Sequence, residues 1–191
     1  MMSKVKLVFA VGIPKYCSDD YPFGNNGSLP WNVPEELQHF KEETKDTVLV
    51  MGANTFLSLP GKLPGRPHIV LSSKGEHIRT KNGKTADMVL CGGNLATTLD
   101  AVRNSYPDKD ISIIGGKSLI EEAIKYKIPD ELVMTFILPQ PKTEFESDVE
   151  IKNELLDIDC TVYEHMNQQE SVVKVVNETV NGYFVERWKK Q

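Results

Sequence analysis

Ile111-Ser112-Ile113-Ile114-Gly115-Gly116-Lys117-Ser118-Leu119-Ile120, continuing to Tyr126, sets an apolar strand, a glycine pair and a helix in immediate succession. A strand this apolar suits burial on both faces, and the two glycines end it where the chain must turn into the helix. Upstream, Leu95, Leu99 and Val102 recur at helical spacing, preceded by short strand-like runs at residues 88–91 and 69–72. Residues 47–51 (TVLVM) form a further apolar strand with a short helix directly after it, from about residue 53 to 59, and residues 4–11 supply another strand. This βαβα order is of the parallel type. Downstream, residues 132–138 read as a strand, and the tail alternates through 172–176 and 183–188 around Asn181-Gly182, a hairpin signal. The fold class that follows is α/β: a mixed, mostly parallel central sheet flanked by helices, with a C-terminal antiparallel β-hairpin.

With 191 residues the chain is sized for one domain and can bury a core without disulfides or a structural metal. Its formal charge of -5 argues against a nucleic-acid protein, whose phosphate contacts need a basic face. The apolar stretch at residues 7–13 is far short of a bilayer span, and nothing resembles a secretory leader, so the expected compartment is the cytoplasm and no membrane partner is expected. Cys17, Cys91 and Cys160 are odd in number and widely spaced; they are expected to be reduced and structural, and no metal site is expected. His39, His68, His77 and His165 lack metal-ligand spacing and receive no role. The oligomeric state is not legible in the sequence.

Residues 12–30 carry Pro, Gly, Asn and Asp throughout and read as one long loop, a feature more often functional than idle. Asn32, as N-cap with Glu35, opens a helix running to about Thr44. On that helix Val33, Leu37 and Phe40 form one stripe, with Glu36 on its edge. A carboxylate facing a core costs several kcal/mol unless paired, so Glu36 either meets a partner in the protein or a ligand, or snorkels and caps the first turn. Both readings stay open at this point. Gly115-Gly116 and Met51-Gly52-Ala53-Asn54-Thr55 are two strand-to-helix junctions at the carboxyl ends of parallel-type strands, where ligands of open α/β sheets bind. Neither a P-loop nor a GxGxxG fingerprint is present.

Taken together these segments resemble dihydrofolate reductase. The run from Gly24 through Gly27, Ser28, Leu29, Pro30, Trp31, Pro34, Glu36 and Leu37 is similar to that family's GxxGxLPWxxPxDL signature. Residues 51–56 resemble its MGRxTW segment, Leu63-Pro64-Gly65-Arg66 its LPGR, and Ile114-Gly115-Gly116 its IGG. The resemblance implies a single domain over residues 1–191. About residues 47–110 would form an adenosine-binding subdomain, and the remainder a substrate and nicotinamide subdomain.

It further implies NADPH as cofactor, dihydrofolate as small-molecule substrate, and the roles of individual residues. Glu36 would be the acid that hydrogen-bonds the pterin, Thr135 the hydroxyl supporting it, and Trp31 the tryptophan that holds an ordered water nearby. Val8 and Ile114 would offer backbone carbonyls to the ring amino group. Ala10, Leu37, Phe40, Leu59 and Leu63 would line the substrate pocket, and Arg66 would pair with the glutamate tail. Around the nicotinamide the matching residues are Ala10, Gly24, Ser28, Leu29 and Ile114. Gly52, Ala53, Asn54, Thr55, Gly115, Gly116, Lys117, Ser118 and Leu119 match the pyrophosphate turns, with a cis peptide at Gly115-Gly116. Leu71, Ser72, Ser73 and Lys74 lie where the adenosine 2′-phosphate is read. Ala53 stands where many members carry Arg or Lys, so a weaker preference for NADPH over NADH is expected. The expected reaction is hydride transfer to C6 of 7,8-dihydrofolate with protonation at N5. The riboflavin-pathway reductases, similar in fold and cofactor, fit less well, because the acid-bearing helix and residues 63–66 point to the folate enzyme. A non-catalytic binding module on the same fold is disfavoured by the intact Glu36, Thr135 and glycine pair.

Overall fold

A computed structural model describes residues 3–73, 75, 77–166, 172–174 and 177–191. The chain forms two compact units, Met1–Leu7 with Thr44–Asp130, and Val8–Glu43 with Glu131–Gln191. The elements are β1 (Val5–Gly12), β2 (Tyr21–Gly24), α1 (Pro34–Glu43), β3 (Val48–Gly52), α2 (Ala53–Ser58), β4 (His68–Leu71), β5 (Met88–Leu90), α3 (Leu95–Ser105), β6 (Ile111–Gly115), α4 (Lys117–Lys125), β7 (Glu131–Pro139), β8 (Val149–Ile151), β9 (Tyr163–His165), β10 (Val173–Lys174) and β11 (Val180–Lys190).

In the first unit the strand order is β1-β6-β3-β4-β5 and every neighbouring pair is parallel. The sequence dictates this arrangement. β6 is buried along its whole length and β3 at every position but Gly52, and strands without a polar face are stable only where both faces are covered. α3 turns Leu95, Leu99 and Val102 inward, and α4 does the same with Leu119, Ile120 and Ala123. α3 starts at a reciprocal cap. Asn94 Oδ1 accepts from Thr97 N at 2.9 Å, and Asn94 N donates to Thr97 Oγ1 at 3.2 Å.

In the second unit the order is β10-β11-β7-β1, with β9 also on β11 and a separate β2-β8 pair. The β11-β7 pairing is antiparallel from Val180↔Pro139 to Lys189↔Glu131. One cluster of buried side chains holds this unit together: Val8, Trp31, Val33, Val133, Ile137 and Phe145 with residues of β11, and Ala10 and Phe40 packed against it. The expected mixed, mostly parallel sheet with antiparallel strands near the C terminus is what forms.

Several local expectations are corrected. Asn181-Gly182 is not the hairpin turn but lies inside β11, at a register shift opposite β7, and Gly182 pairs with Lys174. The turn is built on Asn177, whose Oδ1 accepts from Thr179 N and Val180 N at 3.0 and 2.8 Å. Glycine is needed at 182 for another reason, since a Cβ there would lie 2.6 Å from the backbone oxygen of Val173. Gly182→Ala should therefore cost about 1–3 kcal/mol in urea unfolding; an unchanged midpoint would mean that β10 moves aside freely. The strand expected over 172–176 is described only at Val173–Lys174, because residues 175 and 176 lie outside the described set. The first helix begins at Pro34, not after an Asn32 cap, because a proline holds the residue before it extended and itself suits the first helical position. The 12–30 loop contains β2, paired with β8 through Tyr21↔Ile151. All three cysteines are free and exposed, so they do not serve the core.

Candidate active site

Val33, the residue before α1, and Phe40 within it pack with the cluster of Val8, Trp31 and Ile137, and Glu36 falls on the same side of the helix. Glu36 is thereby carried into the core, at 6% exposure. Its low exposure shows that Glu36 does not snorkel, and because no first-turn N–H among the described residues bonds its carboxylate, it is not a cap either. Burial alone pushes its pKa from 4.5 to about 7. The far end of α1 is tied to β11, where Arg187 Nη2 lies 2.6 Å from Glu43 Oε1 and 3.2 Å from His39 Nε2.

Thr135 is buried on β7 between Val133 and Ile137, and alternation along a strand puts all three on the face that the cluster covers. Trp31 packs edge-on against Phe145 at 5.4 Å, and its buried Nε1 meets no acceptor among the described residues. A buried indole N–H left unmatched is costly unless a polar ligand or water completes it, and the carboxyl of Glu36, held at low exposure in the same unit, carries a desolvation cost of its own. Leu37, expected on the apolar stripe with Val33 and Phe40, is instead 45% exposed, because the turn of α1 carries Glu36 inward and leaves Leu37 on the outer side. In the same unit Gly24 ends β2 and leads into a tight turn. Asn25 and Ser28 exchange backbone bonds of 2.9 Å, and Asn26 and Gly27 have φ of 48° and 69°, as a type I′ turn requires. Ser28 and Leu29 are exposed there, and Ala10 on β1 is half-buried.

In the first unit the two glycine junctions lie side by side, because β3 pairs β6 with Met51 opposite Gly115. The Gly115-Gly116 peptide is cis. A Cβ on Gly116 would come within 3.1 Å of Thr55 Oγ1, and one on Gly52 within 3.5 Å of Gly116 N. Gly116 is the N-cap of α4 with no side-chain bond, and its carbonyl takes the N–H groups of Leu119 and Ile120. The amides of Lys117 and Ser118 fall in the first turn, where a helix makes no internal bond to them, and a helix start of this kind beside two glycine turns can receive anionic oxygens such as those of a diphosphate. Ala53, Asn54 and Thr55 open α2 at the adjacent junction, Leu119 is buried under α4, and Ile114 is buried on β6. At the end of β4, Leu71 is half-buried, Ser72 is buried with its N–H bonded to Leu90 O, and Ser73 is exposed; Lys74 lies outside the described residues.

The 59–68 segment of the first unit carries a further group of the residues singled out in the sequence. Leu59 and Leu63 are half-buried. Arg66 donates from Nη1 to Thr44 Oγ1 at 2.9 Å and from Nε to Pro64 O at 3.3 Å. Thr44 is itself fully buried, and its carbonyl receives Thr47 Oγ1 at 2.9 Å. His68, given no role by spacing, accepts from Leu63 N at 3.1 Å. Its place could have been suspected from one signal, a histidine opening an apolar strand two residues after Arg66.

The family model for dihydrofolate reductase matches residues 16–182. The chain is 34% identical over 128 residues to dihydrofolate reductase type 9 of Escherichia coli, covering 67% of this chain and 70% of that one. It is 28% identical over 169 residues to the dihydrofolate reductase of Enterococcus faecium, covering 87% and 89%. A solved structure of the Enterococcus faecalis dihydrofolate reductase, complexed with NADP(H) and RAB-propyl, shares the fold at a TM-score of 0.67 and 24% identity, over 98% of this chain and 96% of that one. A buried unpaired acid and paired glycine junctions over a parallel sheet, together with a match spanning most of the sequence, place this chain in the dihydrofolate reductase family.

Proposed function

We infer that this chain reduces 7,8-dihydrofolate to 5,6,7,8-tetrahydrofolate with NADPH. The observation that carries this reading is Glu36, a carboxyl group held in the core with no described partner and poised to gain or lose a proton near neutrality. When bound, NADPH supplies the hydride for C6 of the substrate, and a proton from solvent completes N5. The chain's own residues bind, orient and shield. Glu36 hydrogen-bonds the pterin and favours its protonated form, Thr135 braces that contact, and Trp31 Nε1 holds a water beside it. Val8 and Ile114 offer carbonyls to the ring amino group. Ala10, Leu37, Phe40, Leu59 and Leu63 line the substrate, and Arg66 meets its tail carboxylate through a charge-assisted pair.

For the cofactor, Gly52, Ala53, Asn54, Thr55, Gly115, Gly116, Lys117, Ser118 and Leu119 hold the diphosphate, and Leu71, Ser72, Ser73 and Lys74 read the 2′-phosphate. Ala10, Gly24, Ser28, Leu29 and Ile114 surround the nicotinamide. About residues 47–110 act as the adenosine-binding subdomain. We assign the enzyme to the cytoplasm, with neither nucleic acid nor membrane as partner; no helix among the described residues is long and apolar enough to cross a membrane. The direct test follows NADPH absorbance with and without dihydrofolate. Folate-dependent oxidation is expected, and its absence from folded protein would sink the reading.

Ala53 opens α2 without a positive charge. Ala53→Arg should therefore widen the preference for NADPH over NADH by about tenfold, the worth of one charge-assisted pair to phosphate. Measuring kcat/KM for both cofactors checks this, and an unchanged ratio would show that position 53 does not face the 2′-phosphate.

A further inference from the structure

His68 is the first residue of β4 and is fully buried, its ring meeting Phe56 edge-on at 6.1 Å. Both ring nitrogens are taken by backbone groups. Nε2 lies 3.1 Å from Leu63 N, and Nδ1 lies 2.8 Å from Arg66 O. An amide N–H can only donate and a carbonyl can only accept, so Nε2 is the bare nitrogen and Nδ1 carries the hydrogen. One neutral tautomer is therefore specified, and burial favours the neutral ring by lowering its pKa. The segment is held from outside as well. His68 N donates to Asp87 Oδ2 at 2.7 Å, and that oxygen pairs with Lys62 Nζ at 2.6 Å.

The two clasped groups are the outer ends of one turn. Leu63-Pro64-Gly65-Arg66 has proline second and glycine third, and Gly65 has φ of 75°, as a type II turn requires. Closing such a turn joins the carbonyl of its first residue to the amide of its fourth. The amide of Leu63 and the carbonyl of Arg66 are left over, and these are the two groups the imidazole spans. Thr44 Oγ1 meanwhile receives the Arg66 guanidinium, so the backbone of Arg66 is fixed by one buried side chain and its head by another.

We propose that His68 is a positioning residue for the substrate's glutamate tail, its ring clasping both ends of the 63–66 turn so that Arg66 is held ready for a carboxylate. This rests on the reading of Arg66 as the partner of the tail. The histidine never touches substrate; it contributes a rigid donor and acceptor at a fixed separation.

Steady-state kinetics of Arg66→Ala, His68→Leu, His68→Asn and the double variant Arg66→Ala/His68→Leu test it. His68→Leu should raise KM for dihydrofolate by about fivefold or more with kcat changed less than about twofold, the pattern of lost uniform binding. KM for NADPH, and for a dihydropterin lacking the benzoylglutamate, should stay put. His68→Asn, a short amide with one donor and one acceptor, should recover most of the loss, and in the double variant His68→Leu should add little to Arg66→Ala. If Arg66→Ala raises KM while His68→Leu does not, the proposal fails and the reading of Arg66 stands. It also fails if His68→Leu weakens the tail-less substrate equally, or if the two effects add in full. If Arg66→Ala leaves KM unchanged, the reading of Arg66 is the part that fails, and the proposal falls with it. Should His68→Leu not fold, nitrogen NMR of the unmodified protein decides: a single Nδ1–H tautomer is expected, and the Nε2–H form would overturn the clasp.

Discussion

Glu36→Gln should yield a protein that is harder to unfold above neutral pH yet turns over at least about tenfold more slowly. Both effects come from one carboxyl group. In the folded chain it holds its proton up to about pH 7, against an ordinary value of 4.5. Below 4.5 both the folded and the unfolded chain keep the proton, and the group has no effect on stability. Between 4.5 and 7 the unfolded chain releases it while the folded chain does not, so stability falls as pH rises. Above 7 the loss is complete. A difference of 7 minus 4.5 corresponds to about 3 kcal/mol, to order of magnitude. Glutamine keeps the shape and escapes the titration, so urea midpoints of the variant and parent should coincide at pH 4 and separate by pH 8, with the variant the more stable. The loss of turnover has the opposite sign because glutamine cannot carry the charge that favours a protonated pterin. Glu35→Gln, at the exposed neighbouring position, should change neither quantity. A fully active Glu36→Gln with a raised midpoint would show that Glu36 is a burden on the fold and nothing more, and equal behaviour of the two variants would show that it is neither a burden nor a catalyst.

Arg66→Ala should raise KM for dihydrofolate by about 10- to 150-fold, the equivalent of the 1.5–3 kcal/mol carried by a charge-assisted hydrogen bond, with a much smaller change for NADPH. Two internal bonds, to Thr44 Oγ1 and Pro64 O, already orient the guanidinium, so little entropy is lost when a carboxylate arrives. Thr44 Oγ1 would lose a partner in the variant, so its unfolding midpoint should be measured alongside the kinetics. Normal substrate binding with a lowered midpoint would assign Arg66 to the turn alone.

The elements written most plainly in the sequence were those whose burial is complete. β3 and β6 have no polar face to confuse their reading, and α4 follows its glycine pair directly. Short strands were missed because their pairing is remote: β2 finds β8 through Tyr21↔Ile151, and no local pattern carries that information. Asn181-Gly182 misled because the dipeptide satisfies two demands equally well. A turn needs its positive φ, and a close approach needs its missing Cβ; here the second applies. In the site, helical spacing put Glu36 at the edge of an apolar stripe without deciding whether it faced in, and it put Leu37 on that stripe although α1 leaves it exposed, because a small rotation of a helix decides which edge residue is buried. The clasp of His68 was invisible, because it depends on which way a ring points once Leu63, Arg66 and Asp87 have been gathered around it.

The way the chain is divided also bears on how it can fold as it is made. Val5 N donates to Asp130 Oδ2 at 2.8 Å and Val5 O receives Asp130 N at 2.7 Å, so the last contact of the first unit with its opening strand waits for residue 130. From that moment every strand of the parallel order, β1-β6-β3-β4-β5, has its neighbour. Residues 8–43 are synthesised early but belong to the other unit, whose remaining strands begin at Glu131. On a ribosome the Glu36 helix therefore waits, its apolar stripe without a sheet to cover it, while some ninety residues of the other unit emerge. A chaperone that guards nascent chains would meet Val33 and Phe40 in that interval before the strands of the C-terminal half can cover them.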